Sequence, residues 1–106
     1  MSHSKTIRAL NDQFRTTFVG GIVTVTQAIA DRADVAVILE LVRTFGVFDA
    51  DNDPYGEHDF GAFDHGGEKI FWKIDYYDKT LGAGSSNPAD PALTTRVLTI
   101  MLAQDY

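Results

Sequence analysis

Glu68-Lys69-Ile70-Phe71-Trp72-Lys73-Ile74-Asp75-Tyr76-Tyr77 is the stretch on which the fold turns. Ile70, Trp72, Ile74 and Tyr76 alternate with Lys69, Phe71, Lys73 and Asp75. Successive side chains of a strand point to opposite faces, so the alternation predicts a strand with one face on a core and the other mostly wet. Just upstream, Asp64-His65-Gly66-Gly67 is a strong turn signal, and residues 58–63 lead into it as a partner strand. Two strands joined by so short a link are antiparallel, because a parallel crossover needs about a dozen residues or more. Gly61, inside the first of the two, marks a place for a bulge.

Working outward, Ile7, Leu10, Phe14 and Phe18 recur at spacings of three, four and four. That predicts a helix over residues 5–18 with these side chains on one face. Ser4 is placed to cap it, Arg8 lies one turn from Asp12, and Gly20-Gly21 ends it. Ile22-Val23-Thr24-Val25-Thr26 is β-branched throughout and suits a strand. Val35, Ile38, Val42 and Phe45 predict a second helix over residues 32–45, capped by Asp31 and stopped at Gly46. Downstream, residues 81–88 are a loop by composition. Asp90-Pro91 reads as the cap and first position of a last helix running to Gln104. Leu93, Val97, Ile100, Met101 and Gln104 would share one face of it, and Leu98 and Leu102 make it apolar on a second side. It is expected to be the most buried helix. The order helix, strand, helix, strand, strand, helix predicts an α+β fold in one domain, residues 1–106. A three-stranded, largely antiparallel sheet carries about three helices packed on one face.

A chain of 106 residues has room for one domain. Surface scaling for this mass has about 65% of the unfolded chain's surface buried, enough for one real core. There is no cysteine, which excludes disulfides, thiolate metal sites and thiol catalysis and fits a reducing compartment. Residues 1–5 lack the apolar core of a secretory signal, and the longest apolar run, residues 35–39, is far too short to span a bilayer. A soluble, cytoplasmic protein is expected. The formal net charge is -6 and the nine basic residues are scattered without a stripe. Direct nucleic-acid binding and an anionic membrane surface are therefore not expected, whereas a protein partner with a basic surface is.

The negative charge is concentrated. Residues 49–78 hold nine of the fifteen acids and two lysines, giving -7, while the remaining six acids and seven bases leave +1. Most of the aromatic residues lie in the same segment. Asp49, Asp51 and Asp53 match positions one, three and five of a calcium loop, but Pro54 stands where glycine is needed and Phe60 where a bidentate Glu is needed. His58 and His65 with Glu57, Asp59 and Asp64 offer nitrogen and oxygen ligands, yet strand alternation would turn Glu57 and Asp59 away from His58. Ser85 and Ser86 lack the glycines of a nucleophile elbow, and Gly82-Ala83-Gly84-Ser85 lacks the lysine of a phosphate loop. Turn chemistry accounts for much of the rest: Asp or Asn accepts backbone N–H bonds, Pro54 fixes φ, and Gly56 takes φ > 0. On that structural reading Tyr55 folds back on the core and Arg15 pairs with an acid of the loop.

Four pieces of the chain together resemble the bacterial domain-of-unknown-function family numbered 3768. They are Ile7-Arg8-Ala9-Leu10-Asn11-Asp12-Gln13-Phe14-Arg15 and Asp51-Asn52-Asp53-Pro54-Tyr55-Gly56-Glu57-His58-Asp59-Phe60-Gly61 near the start and middle. Phe71-Trp72-Lys73-Ile74-Asp75-Tyr76-Tyr77-Asp78 and Arg96-Val97-Leu98-Thr99-Ile100-Met101-Leu102-Ala103 follow. The resemblance implies no activity and no site residues. It implies a setting in bacterial genomes and plasmids, often on mobile DNA.

Acids flanking exposed aromatics combine charge steering with anchors for a contact. The expected function is a non-catalytic protein-interaction or inhibitor module of plasmid or phage origin, directed against a host defence system. Its candidate binding residues are Asp51, Asp53, Tyr55, Glu57, Asp59, Phe71 and Tyr77. No catalytic residue and no cofactor is assigned. The alternative is a metal-binding or metal-dependent hydrolytic domain using the acidic loop, and a third possibility is a purely structural loop with the function on another surface.

Overall fold

The computed structural model describes residues 3–106. The hairpin forms as its alternation requires: β2 (Phe60–His65) and β3 (Glu68–Tyr77) pair antiparallel from Phe60↔Lys73 to His65↔Glu68. Gly66 and Gly67 both sit at positive φ, the conformation a two-residue hairpin turn demands of both its central positions. Gly61 makes no bulge, because the register runs unbroken through Gly61↔Trp72. Its missing side chain serves close approach instead. A Cβ there would lie 2.4 Å from Trp72 Nε1 and 2.6 Å from Cε2.

The expected last helix is a strand. β4 (Thr95–Leu102) pairs antiparallel with β3, from Ile70↔Leu102 to Tyr77↔Thr95. It also pairs in parallel with β1 (Ile22–Val25), from Ile22↔Val97 to Val25↔Ile100. The sheet is therefore four-stranded and mixed, in the order β1-β4-β3-β2, with the C-terminal strand in its interior. The physical reason lies in a second periodicity of the same residues. Arg96, Leu98, Ile100 and Leu102 alternate and are all buried, while Thr95, Val97 and Thr99 between them are β-branched and favour a strand. Met101 is buried as well, although it faces the other way, and the nearly continuous apolar run imitates a helical stripe. Asp90-Pro91 builds a turn and not a helix start. The Asp90 carboxylate accepts the Ala92 N–H at 2.9 Å and its carbonyl accepts the Leu93 N–H at 3.0 Å.

Three helices cover one face of the sheet. α1 (His3–Thr17) contributes Phe14, α2 (Gln27–Ala30) Ile29, and α3 (Val35–Arg43) Ile38 and Val42. These pack against Ile70, Trp72, Ile74, Leu98 and Ile100 in one core, each worth about 1.5–3 kcal/mol when fully buried. Ser4 does not cap α1, which is already helical at His3. Asp31 does not cap α3 either. It ends α2, a short helix that lies ahead of the expected second one, and Asp34 precedes α3 instead. Gly21 does more than end α1, since a Cβ there would meet Arg96 O at 2.5 Å and Phe14 Cζ at 2.7 Å. Among the described residues no helix is long and apolar enough to cross a membrane.

Gly61→Ala should destabilise the protein by about 1–3 kcal/mol, because the indole of a fully buried Trp72 has to give way. Gly46→Ala, with nothing closer than 4.0 Å, should stay within about 0.5 kcal/mol of the parent. Urea midpoints compare the two, and equal effects would show that Gly61 has no steric role.

Candidate functional site

Asp49, Asn52 and Asp53 of the acidic loop turn side-chain oxygens to its own backbone. The Asp49 carboxylate accepts the N–H groups of Asp51 at 2.9 Å and Asn52 at 3.0 Å, and Asn52 Oδ1 returns a bond to the Asp49 N–H at 3.0 Å. Asp53, only 9% exposed, accepts the His58 N–H at 3.0 Å. Gly56 takes φ +68° as the turn chemistry requires. Asp51 is exposed, and Tyr55, which the turn reading folds back on the core, is instead 78% exposed.

His58 ties the loop to the body. It lies ahead of β2 at φ +54°, in the left-handed region that is costly for a residue with a Cβ. Its Nδ1 is 2.9 Å from Asp12 Oδ1 and its Nε2 is 3.5 Å from Asp53 Oδ2, so carboxylates occupy both ring nitrogens. Its ring stacks on Phe48 at 3.7 Å between centroids. Arg15 lies 5.5 Å from the Phe48 centroid and 5.0 Å from that of Trp72. Arg15 does not pair with a loop acid. Its Nη1 donates to the carbonyls of Val42 (2.8 Å), Phe45 (2.9 Å) and Arg43 (3.2 Å), filling the open acceptors at the end of α3. The loop acids and histidines do not converge. Among the described residues no group of three or more His, Cys, Asp or Glu side chains is arranged to hold a metal ion.

Behind the loop is a buried polar knot. Asn11 Nδ2 donates to Glu57 O at 3.0 Å and to the Tyr76 hydroxyl at 2.8 Å, and the hydroxyl donates to Glu57 Oε1 at 2.8 Å. Arg96 Nε donates to Asn11 Oδ1 at 2.7 Å. Burial pushes the Tyr76 phenol far above its ordinary value, so it stays a donor. Asp59 is half-buried, and burial first, then the charges of Glu57, Asp53 and Asp75, raise its carboxyl above the usual range.

Among the described residues no α-helix lies on the other face of the sheet. Phe71, Lys73, Asp75 and Tyr77 of β3 lie there beside Met101, Thr99, Val97 and Thr95 of β4. Phe60, Phe71 and Tyr106 form an edge-on aromatic cluster with centroids 5.1–6.2 Å apart. A shallow hollow of about 440 Å³ runs from Thr26 and Tyr77 past Lys73 and Asp75 to Tyr106. A second of about 420 Å³ adjoins it at Tyr77 and Val97 and reaches the exposed Ile22 and Leu81.

The seven candidate residues therefore do not form one site, and Asp59, just ahead of β2, lies within reach of the charges of Glu57, Asp53 and Asp75. Phe71 and Tyr77 share the open face with Asp75. Asp51, Asp53 and Tyr55 stay in the loop, and Glu57 turns to Tyr76 on the helix side. Sequence reasoning missed Asn11 and Arg96. Asn11 had a signal, as a polar residue between Ile7 and Phe14 on the apolar stripe. Tyr106 and Met101 lacked one once β4 was read as a helix.

Two outcomes follow from these contacts. Asn11→Ala orphans the Arg96 Nε–H and the Glu57 carbonyl, and chemical unfolding should show a loss of at least about 3 kcal/mol. A loss below about 1 kcal/mol would mean that the knot is not formed. For Asp59, a folded value above the unfolded one means that the folded state holds the extra proton, so its stability falls as pH rises from the unfolded value through the folded one. Asp59→Asn should accordingly raise Tm at pH 7 and leave it unchanged at pH 3, where both side chains are neutral. A lower Tm at pH 7 would contradict this.

No curated protein and no solved structure matches the chain. A family model described as "Protein of unknown function (DUF3768)" matches residues 5–105, from α1 through the 3-10 turn Ala103–Asp105 that follows β4, and the chain belongs to that family.

Proposed function

We propose that the protein is a non-catalytic binding module that takes a protein partner with a basic surface onto the open face of its sheet. The observation that carries this reading is the uncovered face itself. Phe60, Phe71, Tyr77 and Tyr106 lie along it with two adjoining hollows, and rigid aromatic anchors beside a depression are what concentrate binding energy in interfaces. The loop supports it less. Asp49 and Asp53 are engaged with backbone and Glu57 with the Tyr76 hydroxyl, so the oxygens have no common focus.

Charge supports the sign of the partner. The chain carries -6, and burial together with the nearby charges of Glu57, Asp53 and Asp75 works against ionisation of Asp59. A Lys or Arg brought to that edge relieves the repulsion, so complementarity favours a basic partner and speeds its encounter. The same repulsion works against phosphate-bearing partners, nucleic acid and anionic lipid alike. A cytoplasmic setting is part of the proposal, supported by the lack of cysteine. The mobile-DNA context implied by the family suggests a component of a host defence system as the partner, with the protein acting as its inhibitor.

Affinity capture from the native host, repeated with variants, tests this. The parent should retain one stoichiometric partner that salt releases, and Phe71→Ser with Tyr77→Ser should lose it at unchanged Tm. Tyr55→Ala should keep it. Loss with Tyr55→Ala and retention with the double variant would move the contact to the loop and overturn the assignment to the sheet.

A further inference from the structure

We propose that a cleft on the helix side of the sheet, between the end of α1, the turn that follows it and the start of β4, binds a small oxyanion, a carboxylate or phosphate head group, through Arg96 and Lys79. The cleft has a volume of about 200 Å³ and includes Gln13, Val19, Thr94 and these two cations in its lining. It lies across the sheet from the open face and does not depend on the function proposed for that face.

The reasoning starts from an unbalanced charge. Arg96 is 3% exposed, and its ionised guanidinium is costly to bury without a counter-charge. All its partners are neutral: Nε donates to the Asn11 amide oxygen, Nη2 to the Pro88 carbonyl, and the Tyr76 ring lies 5.2 Å from Cζ. No carboxylate among the described residues comes within ion-pair distance, and Nη1 has no acceptor among them. Glu57, whose charge acts on Arg96 from further off, is itself held by the Tyr76 hydroxyl. Lys79, exposed on the other side of the cleft, also has no acidic partner among the described residues.

Two cations lining one recess are therefore left without an anion in a protein of net charge -6. Arg15 provides the contrast. It is equally buried and its Nε has no hydrogen-bond partner, but the Asp12 carboxylate 3.5 Å from Nη2 supplies a counter-charge, and it lines none of the hollows described. Size limits the ligand. At about 200 Å³ the cleft falls below the ~300–1,000 Å³ of pockets for drug-sized molecules. A nucleotide does not fit, whereas a single anionic head does. Leu10, Phe14, Val19 and Pro91 add an apolar wall, suited to a short hydrocarbon on that head. Gln13 offers an amide, and Arg96 Nη1 is left to donate to a carboxylate or phosphate oxygen once Nε and Nη2 are engaged with Asn11 and Pro88.

Heteronuclear NMR titration of the full chain at constant ionic strength tests the site, with inorganic phosphate in one arm and butyrate in the other. Saturable shifts confined to Gly20, Lys79, Thr94 and the Arg96 Nε–H are expected. Saturation by phosphate alone makes the ligand a phosphate, and saturation by butyrate alone a carboxylate. Removing Arg96 would disturb the fold, so the decisive variant is Lys79→Gln, which should weaken binding by about tenfold. Lys69→Gln, on the hairpin beside Asp64, should not weaken it. Shifts that stay linear at tens of millimolar in both arms, or equal weakening by the two variants, would overturn the proposal.

Discussion

A single hydrogen bond, from Arg96 Nε to Asn11 Oδ1 at 2.7 Å, joins residues 85 apart in sequence and orients everything around it. A guanidinium can only donate, so the Asn11 amide must turn its oxygen toward Arg96. Its nitrogen then faces the Glu57 carbonyl and the Tyr76 hydroxyl, and donates to both. Having accepted that bond, the hydroxyl directs its own proton to Glu57 Oε1. The direction of each bond in the knot follows from the one group that cannot accept. Four parts of the chain, α1, the acidic loop, β3 and β4, are held by one amide.

The same constraint explains the strand order. Arg96 and Tyr76 face each other across the β3–β4 ladder, on the side covered by helices. Asn11 reaches them only because α1 lies close over β4, and Gly21 permits that approach where any side chain would strike Arg96 O. β1 then lies parallel to β4 because the chain passes from α1 through the Gly20-Gly21 turn into β1 at the sheet's edge. Its return to β4 carries the rest of the fold, long enough for the parallel crossover that a tight turn cannot make.

Much of this was legible in the residues, and the failures have causes. The hairpin was plain because β3 is half-exposed, and its alternation survives as a pattern. α1 was plain because one face of it is wet. β4 was not, because an interior strand with Met101 buried on its second face loses the alternation that would distinguish it. Its β-branched threonines and valine were the remaining signal, and the Asp90-Pro91 pair outweighed them. The knot was hidden for a different reason. Asn11, Glu57, Tyr76 and Arg96 lie in four separate segments, and no local pattern brings such residues together. The acidic loop was read correctly as turn chemistry around Asn52, Asp53 and Gly56, but Arg15 and Tyr55 were assigned partners they do not have.

The sheet therefore separates two kinds of surface that composition alone merges. On the helix side, polar groups are buried and mostly matched, down to the carbonyls that Arg15 fills, so an unmatched cation there is conspicuous. On the open side, aromatics lie against one another at the rim of a hollow, and Lys73 and Asp75 pair at 3.0 Å within it. Phe60, Phe71 and Tyr77 are only half-buried there, and Asp59 lies among carboxylates that oppose its ionisation. The segment that concentrates the charge is thus a brace for the fold on the helix side, through Glu57 and His58, while its hairpin carries Phe60, Phe71 and Tyr77 to the open side.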